Sequence, residues 1–455
     1  MSAALAPVTS EARRYAIKEL ARRAGVPRSW FLAWEIDVGP DGTVVRLGAE
    51  CPGILRFLHA PPAAPVEVPV ARVPWPENSE PLEPDLLLPF CRDEQPQHPL
   101  YSVGPDRSVT CRLDLLASVV WTLSRAEERL SPARDEHGRF PAAASAASRY
   151  HFLERPILDE HGRAFAGLLA AVFGRRSAPT GLRLKLTHDV DEVGLPFRLR
   201  STLAHGVKRA RPSALFRDLA ARASPLDPAE LAAVRQLAGI SAARGLHSAF
   251  YWKAAPPGPF DSGYPLRHPK VQRAVEALRD QGSELGVHPG YHTFRDRARL
   301  EEEVAELRRA LGLAAPGGRQ HYLRWSPDTW LDWEACGLGY DSSLGFAEAL
   351  GFRSGTALPY RPWSLEENRE LDLIELPLIL MDCAAVKYMR LALAEGLARI
   401  RKVVERIART GGVFTMLWHN APLLDPAYHG WYEGVLDLVA GARPAELPRR
   451  AADLW

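Results

Sequence analysis

The stretch LRLKLTHDVD, residues 182–191, reads as a strand that ends in chemically useful side chains. Leu182, Leu184 and Leu186 alternate with Arg183, Lys185 and Thr187, the two-residue period of a half-buried strand. Polarity then gathers at the carboxyl end in His188, Asp189 and Asp191. In α/β folds that end of a strand is where binding and catalytic groups collect. If the chain stays extended, Asp189 and Asp191 share a side, and neighbouring carboxylates repel unless a proton or cation stands between them. A metal ion with a base beside it accounts for the pair. So do aspartates that cap a helix or form a turn for purely local reasons.

From this strand onward the chain is regular. Strand-like runs fall at 182–187, 248–252, 284–288, 320–325, 339–342, 373–380 and 413–418. Helical patterns at 228–243, 269–281, 295–311, 327–336 and 390–410 separate most of them. Repeated strand-then-helix units imply a parallel sheet, and seven strands predict an α/β fold, a distorted (β/α) barrel over residues 180–455. No glycine-rich dinucleotide fingerprint follows any strand and no phosphate-binding P-loop motif exists, so nucleotide readings lose their main support.

Residues 1–175 read differently, as a mixed α/β accessory domain preceding the barrel. The spacing predicts helices over 9–24, 113–130 and 164–173, strands at 44–47 and 54–59, and extended chain through the proline-rich 60–99. Its role stays open between substrate capping and self-association. His151, Asp159, Glu160 and His161 match no metal spacing and read as a solvated helix entry. Residues 196–222 are basic, with seven Lys or Arg, and read as a solvated helical insertion or a cationic rim for an acidic substrate.

Composition narrows the functional classes. A net charge of +2 provides no field for nucleic acid or an anionic membrane. The five cysteines lack C-x-x-C spacing, which disfavours a structural zinc site or a disulfide framework. The amino terminus turns polar before any signal-length apolar run, and no run of about twenty apolar residues exists, so a soluble, cytoplasmic protein with no transmembrane segment is expected. Oligomeric state is not legible.

Further strand ends add to Asp189 and Asp191. GVHPGYH holds His288 and His292 four residues apart, the chain's only H-x-x-x-H; imidazoles at that spacing on a helical turn can share one cation. RQHYLRW begins at Arg319, and FTMLWHN delivers His419, an imidazole suited to proton donation near neutral pH. Two or three N and O ligands leave room for water, as at a catalytic metal.

LTHDVD, HPGYH, RQHY and LWHN, in that order at those strand ends, resemble the motifs of the polysaccharide deacetylase family, also called the NodB-homology or carbohydrate esterase family four fold. The likeness spans residues 180–450. It implies a divergent member: a divalent-metal-dependent deacetylase that hydrolyses a non-peptide amide and removes the acyl group, typically acetyl, from an N-acylated amino sugar. By position it implies Asp189 as general base, and Asp191, His288 and His292 as metal ligands. It also implies Arg319 steadying the base, the backbone amide at Tyr322 binding the oxyanion, and His419 as general acid. The sequence departs from that pattern. The adjacent aspartates are spread as Asp189-Val190-Asp191, so base and ligand roles could exchange. His188 replaces an aromatic, and His321 stands where a proline is usual. No clear Asp–Trp motif precedes His419, leaving Asp382 as its candidate orienting partner. The ion implied is zinc, with manganese, cobalt or nickel as alternatives. The partner implied is a small molecule or glycan bearing an N-acyl group. Two other readings remain: a hydrolase of a non-sugar amide such as a ureide or cyclic amide, and an inactive glycan-binding barrel. Trp325, Trp330, Trp333, Trp363, Trp418 and Trp431 read mainly as core, with one or two available to line a site mouth.

Overall fold

A computed structural model describes residues 7–48, 53–59, 68–76, 81–91, 100–177, 180–195 and 227–446. The basic stretch 196–222 lies outside the described residues, as do parts of the proline-rich 60–99. The chain divides into two compact units. One comprises Met1–Arg183, Leu350–Ile379 and Lys402–Phe414; the other comprises Leu184–Ala349, Leu380–Arg401 and Thr415–Trp455.

The first unit is mixed α/β. Thr9 caps the helix Ser10–Arg23 by accepting the Ala12 N–H, and its apolar stripe of Ala12, Ala16, Leu20 and Ala21 is buried. A five-stranded sheet runs in the order Glu35–Val38, Gly42–Arg46, Ile54–Leu58, Val109–Cys111, Tyr101–Val103. The helix Ile157–Phe173 corrects one expectation: Asp159, Glu160 and His161 are buried, not solvated. Each is compensated internally, as burial demands. Asp159 accepts from Thr356 Oγ1 (2.6 Å) and the Ala357 N–H (2.7 Å), Glu160 pairs with Arg155 (2.7 Å), and His161 Nε2 meets the Leu87 carbonyl (2.9 Å).

The second unit holds the parallel sheet. Its order is Glu284–Val287, Ser248–Trp252, Leu182–Val190, Gly412–Leu417, Leu380–Met381, with parallel registers such as Asp189 opposite Tyr251 and Gly286 opposite Tyr251. Single parallel bridges extend the order from Val287 to Gly318 and from Gly318 to Asp341. Alternation in Leu182–Val190 stops at Leu186, after which every residue is buried; Ser248–Trp252 and Gly412–Leu417 are buried throughout, as parallel strands covered on both faces are. Covering helices carry one apolar stripe each. In Pro269–Asp280 it is Val271, Ala274, Val275 and Leu278; in Arg297–Leu311 it is Leu300, Val304, Leu307 and Leu311.

Three predicted strands differ from expectation, and of these 339–342 is reduced to Tyr340–Asp341. The run 320–325 forms no strand; a bridge at Gly318 is followed by the tight turn His321–Leu323, in which Tyr322 has φ 61° and ψ 13°. The run 373–380 is broken into Ile374–Glu375 and Leu380–Met381. All six tryptophans named above are buried. Among the described residues no helix is long and apolar enough to cross a membrane.

Candidate metal centre and active site

The site is built on strand ends of the second unit. Leu182–Val190 delivers Asp189 within the strand and Asp191 just beyond it. The end of this strand is pinned by Tyr264, whose hydroxyl donates to the Val190 carbonyl (2.8 Å) and accepts the Lys253 N–H (2.7 Å), while Ser262 Oγ donates to the Asp191 carbonyl (2.6 Å). His288 follows Glu284–Val287 directly, its N–H bonded to the Trp252 carbonyl (2.7 Å). The turn carrying His321 is held against the preceding loop: His321 N–H donates to the Pro289 carbonyl (3.1 Å), and Gln320 Nε2 to the Gly290 carbonyl (2.9 Å) and Thr293 Oγ1 (2.8 Å).

Asp191 Oδ1 is the meeting point. His288 Nε2 lies 3.3 Å from it and His321 Nε2 3.1 Å. Donor atoms of these three residues all fall within 4.8 Å of one another. For a four-coordinate ion with bonds of about 2.0–2.1 Å, adjacent donors stand about 3.4 Å apart, so the separations suit a small divalent ion. The imidazole tautomers point the same way. His288 Nδ1 lies 2.7 Å from the Arg319 carbonyl and donates its proton there, which leaves a lone pair on Nε2. That Nε2 is buried and has no hydrogen-bond partner, facing a carboxylate oxygen that also carries only lone pairs. A cation resolves this contact. Asp261 Oδ1 lies 2.8 Å from His321 Nδ1, an ion-pair distance without hydrogen-bond geometry. The donor set therefore fits a divalent ion.

His292, expected as the second imidazole, is not brought to this cluster. Gly290 is in extended conformation, with ψ 169°, before the short turn Tyr291–Thr293. His288 and His292 thus never share a helical turn, and the four-residue spacing loses its geometric meaning. Tyr291 turns inward and is buried, while His292 is exposed. The imidazole that stands beside Asp191 and His288 is that of His321, the residue noted above only as a departure from a proline.

Around the donors, Arg319 is fully buried and binds Asp189 Oδ1 through Nη1 (2.9 Å), with Thr187 Oγ1 (2.9 Å), the Ser342 carbonyl (2.9 Å) and Ser342 Oγ (3.0 Å) completing its partners. Asp189 Oδ2 faces His288 Nδ1 at 3.7 Å. On the other side, Asp382 Oδ1 accepts from His419 Nδ1 (2.8 Å) and Oδ2 from the His419 N–H (2.7 Å), which aims Nε2 toward Asp191 Oδ2 at 3.8 Å. Burial lowers the basicity of His419, but the Asp382 carboxylate beside it outweighs that and holds the imidazole well above its ordinary range. Burial likewise pushes Asp191 up, and His321 and Lys253 more than reverse it, keeping Asp191 ionised.

Lys253 and Asp261, neither anticipated from sequence, complete the ring. Lys253 Nζ is 3.3 Å from Asp191 Oδ1 and 3.6 Å from Asp261 Oδ1. An ionisable residue directly after the apolar run SAFYW was the available signal. Glu303 sits among the apolar stripe of Arg297–Leu311 and accepts the Gly290 N–H (2.8 Å); burial raises its carboxyl to about 7. An aromatic group flanks the centre: Phe260, 37 % exposed, stacks on Tyr291 with centroids 4.0 Å apart, and Tyr322 meets it edge-on at 6.0 Å.

Comparisons with known proteins are sparse. A family model described as a family of unknown function (DUF7033) matches residues 66–174. No curated protein matches. Among solved structures, a Mycobacterium smegmatis protein described as a polysaccharide deacetylase is 17% identical, covering 58% of this chain and 84% of its own, at a TM-score of 0.38. PuuE allantoinase is 13% identical over 58% and 84%, at 0.37. A family 4 carbohydrate esterase from Streptomyces lividans, in complex with acetate, is 13% identical over 59% and 93%, at 0.30.

Proposed function

We propose that the second unit is a metal-dependent hydrolase that cleaves a non-peptide amide and removes an acyl group from an amino-sugar-containing substrate. The observation that carries the reading is the convergence of Asp191, His288 and His321 on one carboxylate oxygen, with His288 Nε2 buried and unpaired. A divalent ion held by these residues, zinc first and manganese, cobalt or nickel next, supplies a Lewis acid for the amide carbonyl and makes water acidic enough to ionise near neutral pH.

The protein's own groups do the rest. Asp189, with one oxygen held by Arg319, takes the proton of the attacking water on the other. The backbone amide of Tyr322, in a left-handed turn, takes the oxyanion-binding role that the resemblance of the strand-end motifs implies. His419, protonated and aimed by Asp382, delivers its proton from Nε2 to the departing amine. The amino-sugar substrate is supported by the resemblance of the strand-end motifs, and exposed Phe260 beside the centre offers a flat apolar surface of the kind a sugar ring stacks on.

The test is hydrolysis of N-acetylglucosamine-containing compounds, followed by acetate release and compared with ureides and simple amides, before and after chelation and metal return. Metal-restored acetate release from the sugar compounds is expected. Preferential hydrolysis of ureides moves the substrate class to non-sugar amides, and full activity after complete chelation contradicts the metal reading.

A further inference from the structure

We infer that Lys253 is a resident cation that competes with the divalent ion for Asp191 and so sets how tightly the ion is held; this rests on the metal reading above. The strand Ser248–Trp252 is wholly buried, and Lys253 continues into the site with its side chain only 1% exposed. A buried ammonium is tolerated only where carboxylates pair with it. Here it has two, Asp191 Oδ1 at 3.3 Å and Asp261 Oδ1 at 3.6 Å.

The first of these oxygens is also the one that both imidazole Nε2 atoms approach. Three nitrogens therefore surround a single oxygen, and one of them is an ammonium, which has no lone pair to offer an ion. A divalent ion bound to Asp191 Oδ1 displaces the ammonium from that oxygen, because two cations on one donor repel. Asp261 makes the exchange feasible: it lies against Lys253 and also against His321 Nδ1, so the ammonium withdraws to Asp261 without becoming an unpaired buried charge. The ring Asp191, Lys253, Asp261, His321 thus has two occupied states. In one the ammonium bridges both carboxylates; in the other the ion holds Asp191 and the imidazoles while Lys253 keeps Asp261. The ammonium faces both carboxylates, and its presence costs metal affinity.

The experiment is titration of Zn2+ into metal-stripped wild-type protein and Lys253→Met, read by calorimetry and chelator competition, with the fold checked by circular dichroism. Lys253→Gln, which retains a donor for Asp261, serves as the second variant should Met prevent folding. The wild type binds one ion, and removing the ammonium tightens binding by roughly 10- to 100-fold. The metal-free variant is also less heat-stable than the wild type and gains more on Zn2+ addition, because its two carboxylates lack a cation until the ion arrives. One ion bound by the wild type with an unchanged or weaker constant in both variants overturns the inference and leaves the metal reading standing. Binding seen only in the variants supports the inference and contradicts a metal-dependent wild type. Binding in neither overturns both.

Discussion

At the scale of single residues, the distinction is between groups that touch the reacting atoms and groups that aim them. Under the proposed function Asp382 is of the second kind: it accepts both the Nδ1 proton and the backbone N–H of His419. Asp382→Asn is expected to lower kcat about 100-fold with little change in KM, because the imidazole loses its orientation and charge rather than its contact with substrate. Steady-state kinetics on the acetate-release substrate check this; an unchanged kcat removes His419 from the chemistry. His188 yields a prediction about stability and pH. It is wholly buried, bonded through Nδ1 to the Trp418 carbonyl (2.9 Å) and through Nε2 to Ser248 Oγ (3.2 Å), and burial depresses its pKa to about 4. A histidine with a depressed native pKa contributes stability above its unfolded value near 6.5, and that contribution is lost as pH falls toward 4. Wild-type unfolding free energy should therefore fall over this range by up to about 3 kcal/mol more than that of His188→Phe. Parallel urea-unfolding curves for the two proteins from pH 7 to 4.5 would show that His188 is not held neutral.

At the scale of elements, the longer strands of the second unit and the helices that cover them were readable because they have one clear period and a boundary signal. Proline opens Pro269–Asp280, and the apolar run ends at Trp252. The paired aspartates, His288 and His419 were readable for the same reason, since each follows an apolar strand. His321, Lys253 and Asp261 were not, because their meeting depends on loops. The run 320–325 has strand-like composition, yet the chain leaves the sheet after Gly318 and turns left-handed at Tyr322 and Leu323. Local pattern does not encode that choice; packing against Pro289 and Gly290 does. Gly290 is the hinge of this arrangement. A Cβ there would overlap the Ala255 methyl and crowd Glu303 and Asp261, which lie 3.2 and 3.3 Å from its position. Gly290→Ala should therefore displace Asp261 from His321 and lower both melting temperature and zinc affinity. A variant with wild-type zinc affinity would mean that the loop does not position the centre.

At the scale of the whole molecule, the first unit is assembled from distant parts of the chain. Glu128 and Arg353, both buried, pair through Arg353 Nε (2.9 Å) and Nη2 (2.6 Å), and Asp159 binds Thr356 and Ala357. Truncation to residues 180–455 keeps Leu350–Ile379 and Lys402–Phe414 but removes Glu128, the carboxylate paired with buried Arg353, and Asp159, which binds Thr356 and Ala357. The truncated chain is expected to be insoluble or to melt well below the intact protein, as solubility and thermal-melting measurements would reveal. The proposed function turns on which imidazole stands with Asp191 and His288, and zinc titration of metal-stripped His321→Ala and His292→Ala against the wild type tests it. One ion bound by the wild type and by His292→Ala, with affinity in His321→Ala reduced at least about 100-fold, is the predicted result. Loss of zinc in His292→Ala with binding retained in His321→Ala would contradict it.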